Sequence, residues 1–511
     1  MKWKFRLRVF SLLASAVLRL VREDPTGFAI KVAERVRTSD SKLLSKVPRN
    51  LLSRLSLPPS EARKFIELGE LSDGIKLVER QGRSANRSDR HLAQRTRERL
   101  QQLTEPIPSS ANSGERPTQH RILHVLTNSV PYTHSGYTVR SHNVLKSQRD
   151  AGLAVQGVTR LAYPVLVGKL PGSPVQIING IEYHRLLPKS YPVSLLERDE
   201  LAVAMIIAQA QYFGASILHT TTDFKNAMVV AKAAQRLGIP WVYEIRGELE
   251  STWLSKQPDY LQERAVASEF YRLARRQEAA CARAADAVVT LSEIVKRQFV
   301  ARGVSGEDIH VIPNAIDQRD LNREFDRSAI RAELGLPDIS LVGTVTSVVD
   351  YEGIDTLIRA LLHLPDSVEA LIVGDGTARP GLEDLVRELG LDSRVHFVGR
   401  KPQEDIWKWY ATLDVFVVPR KDLQVCRVVT PIKALMAQAL EVPVVASDLP
   451  ALREVTGGRA EYVPPEDSHS LAAGVRKQLQ VPLTNDGDAD WLASRTWTAN
   501  ADRYLRLYES L

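Results

Sequence analysis

The 511-residue sequence has only two cysteines, Cys281 and Cys426. Thiols so few and so far apart exclude a disulfide framework and a cysteine metal site, and fit a reducing, cytoplasmic setting. No apolar stretch reaches the roughly 18 uninterrupted residues that a membrane-spanning helix needs, so none is expected. No Gly-x-Gly-x-x-Gly follows a first strand, which argues against a dinucleotide enzyme. No nucleic-acid-binding module signature is present, so nucleic acid is not expected as a partner.

What is there is ordinary in bulk and organised in pattern. Hydrophobic residues make up 44% and charged residues 25%, the balance of a folded soluble protein. Lys and Arg outnumber Asp and Glu by 68 to 61, a net charge of +7 that favours anionic partners such as a nucleotide or a membrane surface. The length is too great for one core and predicts two or three domains.

Residues 1–22 form a basic amphipathic pattern. Lys4, Arg8, Ser11, Ser15, Arg19 and Arg22 fall on one helical face, and Trp3, Leu7, Phe10, Leu13, Val17 and Leu20 on another. Arg19 interrupts the apolar part, which disfavours a signal peptide. Two readings fit: a segment lying on the inner face of an anionic membrane, or a helix packed on this protein's own core or on a partner.

Residues 1–105 predict a helical N-terminal extension, with 61–103 charged enough to be partly disordered. A Pro/Ser/Asn/Gly-rich linker follows at 106–119. From Arg121 onward apolar strands alternate with helices, first across 120–318 and again across 319–484, with a C-terminal helix in 485–511. Alternation of this kind predicts two doubly wound parallel α/β domains. Ligands in such sheets bind beyond the carboxyl ends of the strands.

The stretch from Asp414 to Asp448 carries the chemistry. An apolar strand ends at Pro419, Arg420 and Arg427 follow, and Thr430-Pro431 opens a helix with Lys433 in its first turn. A helix N-terminus offers free N–H groups, and guanidinium and ammonium groups beside it suit a diphosphate. Basic residues on a solvated loop are the plain alternative.

With these motifs, residues from about Arg121 to Leu511 resemble the family 4 glycosyltransferases of the GT-B fold. The resemblance rests on Pro131–His142 (PYTHSGYTVRSH), Val242–Trp253, Ala285–Glu293 (ADAVVTLSE), Val311–Asp317 (VIPNAID), Glu352–Leu361 (EGIDTLIRAL), Leu371–Gly376 (LIVGDG), Phe397–Arg400 (FVGR), Val429–Lys433 (VTPIK) and Val442–Asp448 (VPVVASD), in family order. It implies two Rossmann-like domains facing across a cleft, an acceptor domain followed by a donor domain. The tail Arg495–Tyr508 is similar to the family helix that packs back on the first domain.

The resemblance also implies retaining transfer of a sugar from a nucleotide-sugar, a UDP-sugar for preference. The acceptor would be a glycan or lipid-linked molecule in cell-envelope or capsular polysaccharide assembly. No metal or other cofactor is expected. His219, Arg420 and Lys433 are the implied catalytic residues. Gly136, Gly374, Gly376, Arg400, Arg427, Thr430 and Met436 fall on donor-side positions, and Tyr132, His134 and Arg140 on the acceptor side.

Two departures stand out. Ser347 and Glu352 occupy positions where the family commonly has basic residues, and Met436 replaces a donor-binding glutamate. Methionine cannot accept ribose hydroxyls as a carboxylate does. A degenerate, scaffolding subunit is therefore the alternative to an active enzyme.

Overall fold

The computed structural model describes residues 2–23, 59–109, 120–321, 323–480 and 489–511. The rest of the expected extension at 24–58, the linker residues 110–119 and residues 481–488 lie outside the described residues. The chain separates into two compact units: Met1–Val289 with Phe299–Ile309 and Leu507–Leu511, and Thr290–Gln298 with His310–Arg506.

The first unit is built on an eight-stranded sheet, ordered β3-β4-β2-β1-β5-β6-β7-β8. Its strands are β1 (Arg121–Leu126), β2 (Ala154–Thr159), β3 (Val175–Ile178), β4 (Ile181–Arg185), β5 (Ile217–Thr221), β6 (Trp241–Ile245), β7 (Ala287–Thr290) and β8 (Ile309–Val311). The pairs β4-β2-β1-β5-β6 run parallel, with His124 of β1 opposite His219 of β5. Residues 122–126 of β1 and all of β5 and β6 are buried, as expected for strands covered on both faces. Side-chain caps fix the helix starts: Ser135 for Gly136–Asp150, Ser194 for Leu195–Phe213, Asp223 for Phe224–Leu237 and Ser268 for Glu269–Ala284.

Strand β4 was not expected from the sequence. It pairs antiparallel with β3 through Asn179-Gly180, both at positive φ. Asn-Gly between short apolar runs is the usual hairpin signal, so the information was present in the chain.

The segment 61–103 is ordered. Helices Glu61–Glu67, Leu71–Gln81 and Arg87–Thr104 share a small core of Ala62, Val78, Ala85 and Ala93. They are tied to the sheet's outer helices by polar contacts: the Gln102 amide donates to Asp199 at 2.6 Å, Leu195 N–H to Glu98 at 2.7 Å, and Ser72 N–H and Oγ to the Glu269 carboxylate at 2.7 Å each. Composition suggested disorder because these partners lie roughly a hundred residues or more away along the chain.

Helix Lys2–Glu23 also packs on this unit. Val9 and Leu12 are buried against Ala162, Val165 and Leu187, with Phe5 and Leu13 beside them, and Ala16 is also buried. The second unit is a fully parallel six-stranded sheet ordered β11-β10-β9-β12-β13-β14. Its strands are β9 (Ser340–Val345), β10 (Val368–Val373), β11 (Val395–Gly399), β12 (Val415–Val418), β13 (Val444–Ser447) and β14 (Glu461–Val463). Apolar clusters line its two faces, around Phe416 and Leu435 on one and Ile358 and Val445 on the other. Both units are thus the Rossmann-like type expected from the alternating pattern. No described helix is long and apolar enough to cross a membrane.

Candidate active site

In the second unit, the loops after β9, β10 and β12 are pressed together at the carboxyl ends of the strands. A Cβ on Gly374, at φ +137°, would lie 1.7 Å from the Thr346 carbonyl oxygen, and one on Gly353 would lie 1.8 Å from that of Pro419. Only glycine permits backbones this close. Gly376 is similar, 2.2 Å from the Val348 oxygen. The loops exchange backbone hydrogen bonds as well: Val348 N–H to Asp375 O at 3.2 Å and Lys421 N–H to Tyr351 O at 3.1 Å. Gly374 and Gly376 therefore serve loop packing in this conformation.

That packing assembles a charged cluster. Arg420, just past β12, donates from Nη2 to Glu352 Oε1 at 2.9 Å and from Nη1 to Val429 O at 3.0 Å. Lys433, in the first turn of helix Ile432–Ala439, lies 2.7 Å from the same Glu352 oxygen and donates to Thr346 Oγ1. Glu352 and Arg420 are buried. Burial alone would raise the Glu352 pKa, but Lys433 and Arg420 beside it bring it below its ordinary value. Burial pushes the Lys433 ammonium down to about 8, with Arg420 adding to the effect and Glu352 opposing it. The backbone of Thr430, between them, accepts from the Asn314 amide at 3.1 Å.

Of the three cations expected together, two meet. Arg427 is exposed on the short helix Gln424–Val428 and paired with Asp422 at 2.5 Å. Met436 packs half-buried against the core one turn beyond Lys433. Arg400 is exposed at the end of β11. A cavity of 530 Å³ elsewhere in this unit is lined by Asp350, Asp355, Asp384 and Glu388 with Arg359. Its acidic lining suits a diphosphate poorly.

In the first unit, His219 has no exposed surface. Its Nε2 lies 3.2 Å from Glu244 Oε2 and its Nδ1 2.6 Å from the Tyr508 hydroxyl. The Tyr508 oxygen accepts from Gln148 Nε2 at 3.0 Å, and Gln148 Oε1 meets His124 Nε2 at 2.8 Å. Burial first, with Arg246 and Arg140 adding, lowers the His219 pKa against the pull of Glu244. Glu244 resists the effect of its own burial because Arg246 and Arg140 hold it well below the usual carboxylate range. With Glu244 ionised and His219 neutral, Nε2 carries the proton and Nδ1 accepts from tyrosine. In this conformation a substrate does not reach the His219 ring.

Arg140, expected on the acceptor side, is also buried, 2.8 Å from Glu244 Oε1. Arg246 donates to both oxygens of the same carboxylate at 2.9 and 3.1 Å. The loop above them carries the remaining candidates. Tyr132 is half-buried, accepts from Gln176 at 2.8 Å and lies under the Arg185 guanidinium at 5.4 Å. His134 and Gly136 are exposed, and nothing lies within 4 Å of a Cβ placed on Gly136. Ser135 caps the helix that Gly136 opens.

The sequence reading missed Glu352, Glu244 and Tyr508 as partners. An acidic residue at a position commonly basic in the family, with new basic residues elsewhere, was the one signal for Glu352. Nothing local marks the other two.

Residues 135–315 match the family model described as "Glycosyl transferase 4-like domain", and residues 337–480 match "Glycosyl transferases group 1". The chain belongs to this glycosyltransferase family. It is 28% identical over 254 residues to the alpha-D-kanosaminyltransferase of Streptomyces kanamyceticus, covering 48% of this chain and 63% of that one. It is 33% identical over 162 residues to the lipopolysaccharide core biosynthesis mannosyltransferase LpsB of Rhizobium meliloti, covering 30% of this chain and 44% of that one. The chain thus spans about half the length of the curated relatives it matches. Among solved structures, the sucrose-phosphate synthase of Thermosynechococcus elongatus superposes with a TM-score of 0.60 at 23% identity, over 76% of this chain and 99% of that one. HepE of Anabaena in complex with UDP gives 0.57 at 21% identity, over 76% and 100%. These likenesses establish the GT-B fold.

Proposed function

We propose that the protein transfers a sugar, with retention, from a nucleotide-sugar to a glycan or lipid-linked acceptor in cell-envelope polysaccharide synthesis. A UDP-sugar is the favoured donor; HepE, a neighbour of the same fold, has been crystallised with UDP and with UDP-glucose. Relatives named for teichuronic acid and lipopolysaccharide synthesis support the envelope role. The enzyme would work at the cytoplasmic face of the membrane, with residues 1–22 in contact with it.

The observation that carries this reading is the Arg420–Glu352–Lys433 cluster at the start of helix Ile432–Ala439. As the bond between anomeric carbon and diphosphate breaks, negative charge grows on the phosphate oxygens. Fixed cations and helix N–H groups stabilise it without reorganising. Lys433 and Arg420 supply that charge in place of a metal ion, and Glu352 holds both in this conformation. Calorimetric titration with UDP, GDP and ADP tests the reading: micromolar binding of one nucleotide, lost in Lys433→Ala, is expected.

A second reading has its own observation. Glu352 occupies both cations, and Met436 offers no carboxylate. A scaffolding subunit without donor binding would look the same. Met436→Glu separates the two. A weak enzyme should gain about tenfold or more in nucleotide affinity from a charged hydrogen bond. A scaffold should stay silent up to millimolar nucleotide.

A further inference from the structure

Helix Lys2–Glu23 precedes the family-matched residues and has two apolar faces. Phe5, Val9, Leu12 and Leu13 form the inner one, packed on Ala162, Val165, Leu166, Leu187 and Tyr191. Polar contacts reinforce that seat: Arg8 donates to Leu187 O, and the Arg19 guanidinium lies 4.9 Å over the Tyr191 ring. The helix also packs on helix Arg87–Thr104 and on the turn Val165–Val167.

The outer face repeats at three- and four-residue spacing. Trp3, Leu7, Phe10, Val17 and Leu18 are 71, 51, 55, 37 and 56% exposed. The supporting turn adds exposed Val167 and Leu170 with Lys169 between them. Exposed apolar residues scattered singly need no explanation, but a stripe of five on one helix marks an interaction surface. The charges the helix carries are mostly of one sign. The helix contains Lys2, Lys4, Arg6, Arg8, Arg19 and Arg22 against a single acid, Glu23, at its last position. Arg6 and Arg8 are exposed. A rim for a protein partner would ordinarily mix signs evenly, whereas a predominantly cationic helix complements a uniformly anionic surface.

We infer that the outer face of this helix seats the first unit directly on an anionic phospholipid bilayer. Trp3, Leu7, Phe10, Val17 and Leu18 enter the boundary between headgroups and acyl chains, and the exposed Arg6 and Lys169 meet lipid phosphates. Because the inner face is fixed to the unit, the helix is a rigid foot rather than a loose tether. It holds the loop of Tyr132 and His134 in one orientation to the membrane. This deepens the reading of a lipid-linked acceptor and rests on it for its purpose; the binding is measured without any transfer assay.

The test uses the full chain and phosphatidylcholine vesicles with or without phosphatidylglycerol. The protein should co-sediment with the anionic vesicles and be released by salt. Leu7→Glu with Phe10→Glu should weaken partitioning about tenfold or more at unchanged thermal midpoint. Cys281 and Cys426 are buried, so an environment-sensitive dye can be placed at Leu7→Cys. Its emission should shift to the blue on anionic vesicles, while a dye at the exposed Ser305→Cys should not move. Three results would overturn the inference. The protein could stay in the supernatant. The dye at position 7 could already be shielded without vesicles, which would assign the face to residues 24–58 of this chain. The charge substitutions could instead split a dimer and leave vesicle binding intact.

Discussion

One oxygen of Glu352 accepts from both Lys433, at 2.7 Å, and Arg420, at 2.9 Å. Burial holds Lys433 near a pKa of about 8, so it is charged below that pH and neutral above it. A bound diphosphate favours the charged form. Nucleotide affinity should therefore be level below about pH 8 and fall by up to about tenfold per unit above it, the limit for one proton. Titration across that range checks the slope, and Lys433→Arg should flatten it. An unchanged affinity at alkaline pH would remove Lys433 from the binding site.

Replacing Glu352 tests the same relationship from the other side. Glu352→Gln leaves two closely spaced cations without their counter-charge. Breaking a buried ion pair this way costs about 3–5 kcal/mol. The second unit's thermal midpoint should fall, and saturating UDP should restore more of the loss than it adds to the wild-type protein. Equal nucleotide stabilisation of both would mean that the diphosphate does not take the place of Glu352.

The buried network of the first unit gives a prediction about acid. The Glu244 pKa is depressed in the folded state by Arg246 and Arg140. Its stabilising contribution is therefore present above the unfolded value of 4.5 and is lost as pH falls through the lower folded value. Glu244→Gln should lower stability at neutral pH and remove that acid-dependent part of the unfolding curve. Tyr508→Phe removes the hydroxyl shared by His219 and Gln148 and should cost about 1–3 kcal/mol in urea unfolding. An unaltered urea midpoint would deny this hydroxyl its structural role.

Two glycines with similar expectations in sequence should behave oppositely. Gly374→Ala drives a methyl group into the Thr346 carbonyl and should cost roughly 3 kcal/mol or more. Gly136→Ala meets open space and should leave the thermal midpoint unchanged. If donor phosphates approach that helix start, Gly136→Ala will still weaken turnover.

The strands were legible because valine-rich apolar runs such as Val415–Val418 and Val444–Ala446 sit between turn residues. That pattern reflects burial on both faces of a parallel sheet. The basic helix start at Arg420 and Lys433 could be read for the same local reason. Long-range pairing could not. Nothing near His219 announces that its ring nitrogens belong to Glu244 and to Tyr508, 289 residues away. Arg140 shows the same limit. A cation near a glycine-containing loop looks like a ligand-binding group until its buried carboxylate partner, 104 residues on, comes into view.

The polar contacts of helices 61–104 have a practical consequence for expression. Leu195–Phe213 and Glu269–Ala284 receive Glu98, Gln102 and Ser72 on their outer sides, well ahead of the family-matched residues. A fragment trimmed to begin at β1 would leave Asp199 and Glu269 without these partners and strip cover from the helices that carry them. Such a fragment should aggregate or refold poorly, although it would contain both sheets intact.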